Sequence, residues 1–364
     1  MADDSPAIKS KSWTSSNDRS GGHSTDQRSA SSISVEPQLL LERILTLEIV
    51  RVAERAAVSA ARLRGQGSEM KAHRAAADAM RRELNTLPID GIVVTRDGEA
   101  DEASALFAGE KVGTKGGPTF DIAANPLEGT TLCARGMPDA MATIAIADGG
   151  TLLSAPDAYM EKIASGPGYP KDVIDLDAPP EENIPALARA KGVKASAITA
   201  LILDRPRHAN LVAAVRRAGA VVRFITDGDV AGVIYTAEPA ATGVDVYMGI
   251  GGAPQGVLAA AALRCVGGQM QVRLVFDTPE KRERASEMGI ADVSKKYTID
   301  EMVRGDCLFA ATGVTDGSLL RGVRFGKRHH RNANRGDAID DRHSTPDRDP
   351  APKPPEVRVW IGRE

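Results

Sequence analysis

Between Asp97 and Thr130 the chain gathers residue types that can hold hard cations and phosphate. An acidic turn, Asp97-Gly98-Glu99-Ala100-Asp101-Glu102, follows one short apolar run. Asn125-Pro126-Leu127-Glu128-Gly129-Thr130 follows another. Carboxylates at strand ends supply the oxygen ligands that Mg²⁺ takes, shared with a substrate phosphate. Two such ions can clamp an attacking water and a leaving oxygen. Gly129-Thr130 adds backbone N–H and hydroxyl donors for a phosphate. Read alone, an acidic turn of this kind is more often a solvated loop.

Three further clusters carry chemistry. Arg205-Pro206-Arg207-His208 follows a strand-like run and can form a bidentate phosphate clamp, although a short basic stretch is commonly plain surface. Asp227-Gly228-Asp229 at another strand end can bind sugar hydroxyls or metal, or simply turn the chain. Gly249-Ile250-Gly251-Gly252-Ala253-Pro254 lacks the third glycine spacing and the following acid of a dinucleotide loop.

Alternating helices and strands must position these residues. Leu39, Leu40, Ile44, Leu47, Val50 and Ala53 recur at helical spacing and predict a long helix through about Arg64. Gly65-Gln66-Gly67-Ser68 breaks it and caps a second helix, Ala72 to Leu84. Strands are expected at Ile89 to Thr95, Thr119 to Ala123, Ala142 to Ala147, Ala197 to Leu203, Val221 to Ile225 and Val244 to Ile250. Helices are expected at His208 to Ala218, Gly256 to Leu263 and Pro279 to Met288. Strands that end in Gly- and Asp-rich turns before helices indicate an α/β class.

Composition bounds the partners. Aromatics are 4% of the chain, so the core must be built from Ala, Val, Ile and Leu. A net charge of -3 gives no basis for a nucleic-acid or membrane-surface partner. No signal peptide or apolar run long enough to span a bilayer is read, and Cys133, Cys265 and Cys307 are scattered. A cytoplasmic protein is the expectation. Residues 1 to about 35 are polar and Ser-rich and are expected to be unstructured.

The order of the clusters, together with Ala155-Pro156-Asp157-Ala158-Tyr159-Met160-Glu161-Lys162 and Ala311-Thr312-Gly313-Val314-Thr315, resembles the class II (GlpX-type) fructose-1,6-bisphosphatases from about Leu39 to Val323. The resemblance implies the layered αβαβα fold of the lithium-sensitive, inositol monophosphatase-like sugar phosphatases. It implies hydrolysis of the 1-phosphate of fructose 1,6-bisphosphate with Mn²⁺ or Mg²⁺, in gluconeogenesis and glycerol metabolism, by a homo-oligomer. It places catalytic roles on Glu128, Thr130 and Asp97, and substrate contacts on Gly129, Thr130, Tyr159, Arg205, Arg207, Asp227, Asp229 and Gly252.

The implied metal positions depart from the family. They are His73, Asp97, Asn125, Glu128 and Gln255, where the family carries five acids. Only Asp97 and Glu128 remain carboxylates. At an effective dielectric of 20, two unit charges about 4 Å apart interact by roughly 4 kcal/mol, so cation binding is expected to weaken. Neutral His73 suits softer ions. The alternative reading is a weak or inactive paralogue, or a regulatory subunit, that keeps sugar-phosphate binding. After Phe325, Lys327 to Asp349 turns Arg-, His- and Asp-rich, resembling an out-of-frame reading of a GC-rich gene. Residues 326–364 are expected to form an unstructured tail, with the short Val357 to Ile361 run set apart from its Arg-, His- and Asp-rich part. If the family's closing hairpin is absent from this region, a sheet edge is left uncovered.

Overall fold

In the computed structural model, the described residues are 45–95, 106–156, 158–287, 290, 292, 294–325, 352–353 and 356–362. All belong to one compact unit, Pro37–Glu364. The expectation for residues 1–35 lies outside the described residues, as do Asp97, the rest of its acidic turn, and 326–351.

Two six-stranded mixed sheets organise the chain. The first runs β14-β11-β4-β3-β1-β2 and the second β10-β9-β5-β8-β6-β7. The first is built from β1 (Asp90–Val93), β2 (Lys111–Val112), β3 (Thr119–Glu128), β4 (Met141–Asp148), β11 (Cys307–Gly313) and β14 (Val357–Gly362). The second comprises β5 (Tyr159–Ser165), β6 (Thr199–Leu203), β7 (Val221–Ile225), β8 (Val246–Gly252), β9 (Gln269–Val275) and β10 (Lys296–Thr298).

Side-chain alternation along the strands separates the cores. On β3, β4 and β11 the residues Ile122, Ile144, Ile146, Leu308 and Ala310 pack with α1 (Thr46–Ala61) and α2 (Glu69–Leu84). Ser68 caps α2, its hydroxyl accepting from Lys71 N–H. The alternate residues Ala123, Ala145, Phe309 and Ala311 face inward to α8 (Ala253–Val266). This helix is buried nearly all round, and its Ala259–Ala262 run lets it fit between two sheets. On the far face of the second sheet, Ile198, Ile202, Val246 and Met248 pack with α4 (Pro180–Lys191) and α5 (Ala209–Arg217). The order of layers is therefore α, β, α, β, α, as the resemblance implied.

The middle layer also holds α6 (Asp229–Tyr235) and α10 (Ile299–Met302), both in contact with α8. Short α3 (Thr130–Arg135), α7 (Pro239–Thr242) and α9 (Pro279–Glu287) complete the α-helices among the described residues. No helix among the described residues is long and apolar enough to cross a membrane.

The tail corrects the composition-based expectation. Val357–Gly362 pairs antiparallel with all but the last residue of β11, and Val359 packs on the outer core. Two short strands, β12 (Arg324–Phe325) and β13 (Pro352–Lys353), pair with each other in a separate two-stranded sheet. The physical reason is the open edge itself: β11 carries unpaired N–H and C=O groups, and an alternating Val-Arg-Val-Trp-Ile run satisfies them.

Candidate active site

The β3 strand runs five residues beyond its predicted end and carries the Asn125–Glu128 segment into the interior. Its pairing with β4 slips by one residue between Asn125 and Glu128. Such a bulge re-aims the side chains after it. Gly129 then adopts φ +74°, a left-handed conformation that suits glycine, and turns the chain into α3. Glu128 and Thr130 are thereby brought to the wall of a cavity of about 460 Å³, a size suited to a small molecule.

Most of the residues singled out from the sequence converge there. Glu128, Gly129, Thr130, Tyr159, Arg205, Arg207, Asp227, Asp229, Gly252 and Gln255 all line the cavity. Asn125 lies behind its wall, buried and in contact with Glu128. His73 sits partly buried on α2 and is not among the lining residues. Asp97 falls outside the described residues.

The turn from β6 to α5 presents the arginines. Arg205 Nη1 donates to the carbonyls of Asp204 and Thr226, at 2.9 and 2.8 Å. Arg207 donates through Nε and Nη2 to Ile250 O and stacks over Tyr159, 5.1 Å from the ring centre. His208 is a strut. Its ring bonds Leu203 O through Nδ1 and accepts from Ile250 N–H through Nε2, at 2.7 and 2.8 Å. Burial holds its pKa below the ordinary histidine value, which keeps the ring neutral for these roles.

The aspartates differ in setting. Asp227 accepts from Gly228 N–H and Thr131 N–H at 2.9 and 3.3 Å. Burial raises its pKa; those two bonds and nearby Arg205 oppose the rise. Asp229 is bound from behind by Lys162 and Tyr247.

The sequence reading missed Asp277 and Lys281, which also line the cavity. They form an ion pair at 3.1 Å, and Lys281 lies 5.8 Å from the Tyr159 ring. An i, i+4 acid–base spacing was the available signal.

The donor set at Glu128 decides the fit of a cation. Glu128 Oε1 accepts from Val230 N–H at 2.7 Å, and Oε2 accepts from Asn125 Nδ2. Asn125 Oδ1 is buried with no hydrogen-bond partner. Among the described residues, no group of three or more His, Cys, Asp or Glu is placed to hold a metal ion. An amide facing a carboxylate satisfies the carboxylate without a cation. An acid at position 125 would instead set two carboxylates against each other, an arrangement that calls for a cation or a proton. The described residues therefore do not by themselves fit a divalent metal centre.

A layered α/β fold with guanidinium groups, carboxylates and a hydroxyl converging on one cavity defines a site for an anionic, hydroxyl-bearing small molecule. The profile of the family described as "Bacterial fructose-1,6-bisphosphatase, glpX-encoded" matches residues 43–334. The chain is 42% identical over 310 residues to a protein of Synechococcus sp. (strain JA-3-3Ab) named D-fructose 1,6-bisphosphatase class 2/sedoheptulose 1,7-bisphosphatase. That match covers 78% of this chain and 89% of the relative. A protein of the same name from Prochlorococcus marinus (strain NATL1A) is 42% identical over 301 residues, covering 79% and 90%. A solved structure, the extragenic suppressor protein suhB from Bartonella henselae, aligns with 53% of this chain and 73% of its own at 14% identity and a TM-score of 0.30. The chain belongs to the glpX-encoded bacterial fructose-1,6-bisphosphatase family. That family depends on divalent cations.

Proposed function

We propose that this chain binds fructose 1,6-bisphosphate or a related sugar bisphosphate and hydrolyses its 1-phosphate ester to the sugar monophosphate and inorganic phosphate. The observation that carries this is the convergence of Arg205, Arg207, Tyr159, Thr130 and Asp227 on one cavity. Arginines anchored by backbone carbonyls keep their remaining N–H groups for phosphate oxygens. The Thr130 hydroxyl can donate to a phosphate oxygen. Asp227 and Asp229 offer acceptor oxygens for sugar hydroxyls. Mn²⁺ or Mg²⁺, weakly held, is the expected ion; no step is assigned to it, because the described donor set does not fit one.

A second reading has its own observation. Asn125, an amide bonded to Glu128, stands where the family carries an acid, and an amide cannot take a proton from water. This favours a protein that binds the sugar phosphate and turns it over slowly or not at all. Phosphate release from fructose 1,6-bisphosphate, measured across Mg²⁺, Mn²⁺, Zn²⁺ and Fe²⁺ alongside calorimetric binding, separates the two. Turnover with any ion supports the phosphatase. Binding without turnover supports the second reading, and absence of both overturns each.

A further inference from the structure

Behind the cavity wall lies a charged group that the functional reading does not use. Lys162 sits in the middle of β5, and its side chain is completely buried. A buried ammonium that has given up water must find acceptors inside the protein. It finds the carboxylate of Asp229 and the carbonyl of Gly252, the latter at 2.7 Å. Tyr247 on β8, also fully buried, donates its hydroxyl to the other oxygen of Asp229. Burial and the neighbouring Asp229 charge hold the phenol well above its ordinary pKa, so Tyr247 remains a donor. Glycine clears the space: a Cβ on Gly251 would collide with Asp229 Oδ2.

Lys162 does not reach the cavity, whereas both of its partners do. It joins three segments: β5, the first turn of α6, and the turn from β8 into α8. Asp229 turns one lone pair of each oxygen inward to Lys162 and Tyr247. A carboxylate has about four acceptor sites, so it keeps capacity for a donor in the cavity. The arginines are fixed independently, by Thr226 O and Ile250 O.

We propose that Lys162 is a positioning residue for sugar recognition: it fixes the Asp229 carboxylate where a substrate hydroxyl meets it, while the phosphate grip is set elsewhere. This rests on the sugar-phosphate reading above. Substitution of Lys162 therefore separates two affinities that a purely structural role would move together.

The test is calorimetric titration of the full chain with fructose 1,6-bisphosphate and, separately, with inorganic phosphate. Lys162→Met is expected to weaken the sugar bisphosphate by about tenfold or more, the scale of one hydrogen bond to a charged group. Inorganic phosphate should stay within about twofold. Because Lys162→Met leaves Asp229 buried with an uncompensated charge, the variant Lys162→Met/Asp229→Asn serves as a second arm that removes both charges. In it the same selective loss is expected, with a cooperative thermal transition retained. Unchanged sugar-bisphosphate affinity in either folded variant overturns the proposal. Equal losses for both ligands also overturn it. If the wild-type chain binds phosphate but no sugar bisphosphate, the functional reading itself falls and takes this inference with it.

Discussion

On one side of the cavity, Arg205 and Arg207 hang from the β6–α5 turn, tied down by backbone carbonyls and open to the interior space. On the other, at the end of β3, Glu128 and Asn125 are buried and bonded to each other. The first arrangement has donors left over for a ligand. The second is bonded internally, with Glu128 still on the cavity wall. The two sides hang from different sheets, so the chemistry of one can change while the geometry of the other holds. Asn and Asp share a shape, and exchanging them at position 125 asks nothing of the backbone.

The sharpest break of this contrast is Asn125→Asp. It sets a carboxylate against Glu128 and should raise Mn²⁺ or Mg²⁺ affinity by about two to three orders of magnitude, from the roughly 4 kcal/mol of one added charge. Calorimetric metal titration measures it; unchanged affinity would show that Glu128 does not face the cation position. On the grip side, Arg207→Ala should weaken fructose 1,6-bisphosphate by about tenfold to a hundredfold, the range of a hydrogen bond to a charged group. The same titration should leave metal affinity unchanged.

A smaller effect belongs to the strut. His208 has a folded pKa below its unfolded value near 6.5, so the unfolded chain binds the extra proton first. Its contribution to stability is full above about pH 6.5, is lost as the pH falls through the lower folded value, and then levels off. Urea unfolding from pH 7.5 to 5 should show this decline, and His208→Gln should flatten it. Smallest is Tyr159→Leu. It removes the ring beneath Arg207, worth about 0.5–1 kcal/mol at an exposed site, and should weaken sugar-bisphosphate binding only a few-fold. A loss beyond tenfold would mean that Tyr159 touches the substrate more directly.

Much of the fold was legible where apolar runs meet turn residues. Val221–Ile225 is a strand over its full predicted length, and α8 only extends the predicted Gly256 to Leu263 helix. The sequence misled where two signals conflict. Asn125-Pro126-Leu127 reads as a turn, yet it continues β3 through a bulge because the whole stretch is buried between layers. The β9 strand alternates buried Met270, Val272 and Leu274 with Gln269, Gln271 and Arg273, whose side chains hold the 169–177 stretch and Ser294. Its polar half concealed a central strand.

The site was legible as a set of short motifs in order, and the cavity gathers most of them. What position alone could not disclose was the partner of each group. Asp229 reads as a free carboxylate, whereas Lys162 and Tyr247 occupy its inner side from 67 and 18 residues away. His208 reads as part of a clamp, whereas Ile250 on β8 makes it a prop. Such pairings depend on how strands are ordered across the second sheet, which local periodicity does not encode.

The order in which the chain is made gives β14 a further meaning. It is the last of the described strands to be synthesised, and its partner β11 ends more than forty residues earlier. The other members of that sheet emerge first, so β11 waits with a bare hydrogen-bonding edge while the layers around α8 assemble. A nascent chain in that interval offers a template to any neighbouring strand. Val357–Gly362 closes that edge, so misassembly through β11 has its opening before that pairing forms.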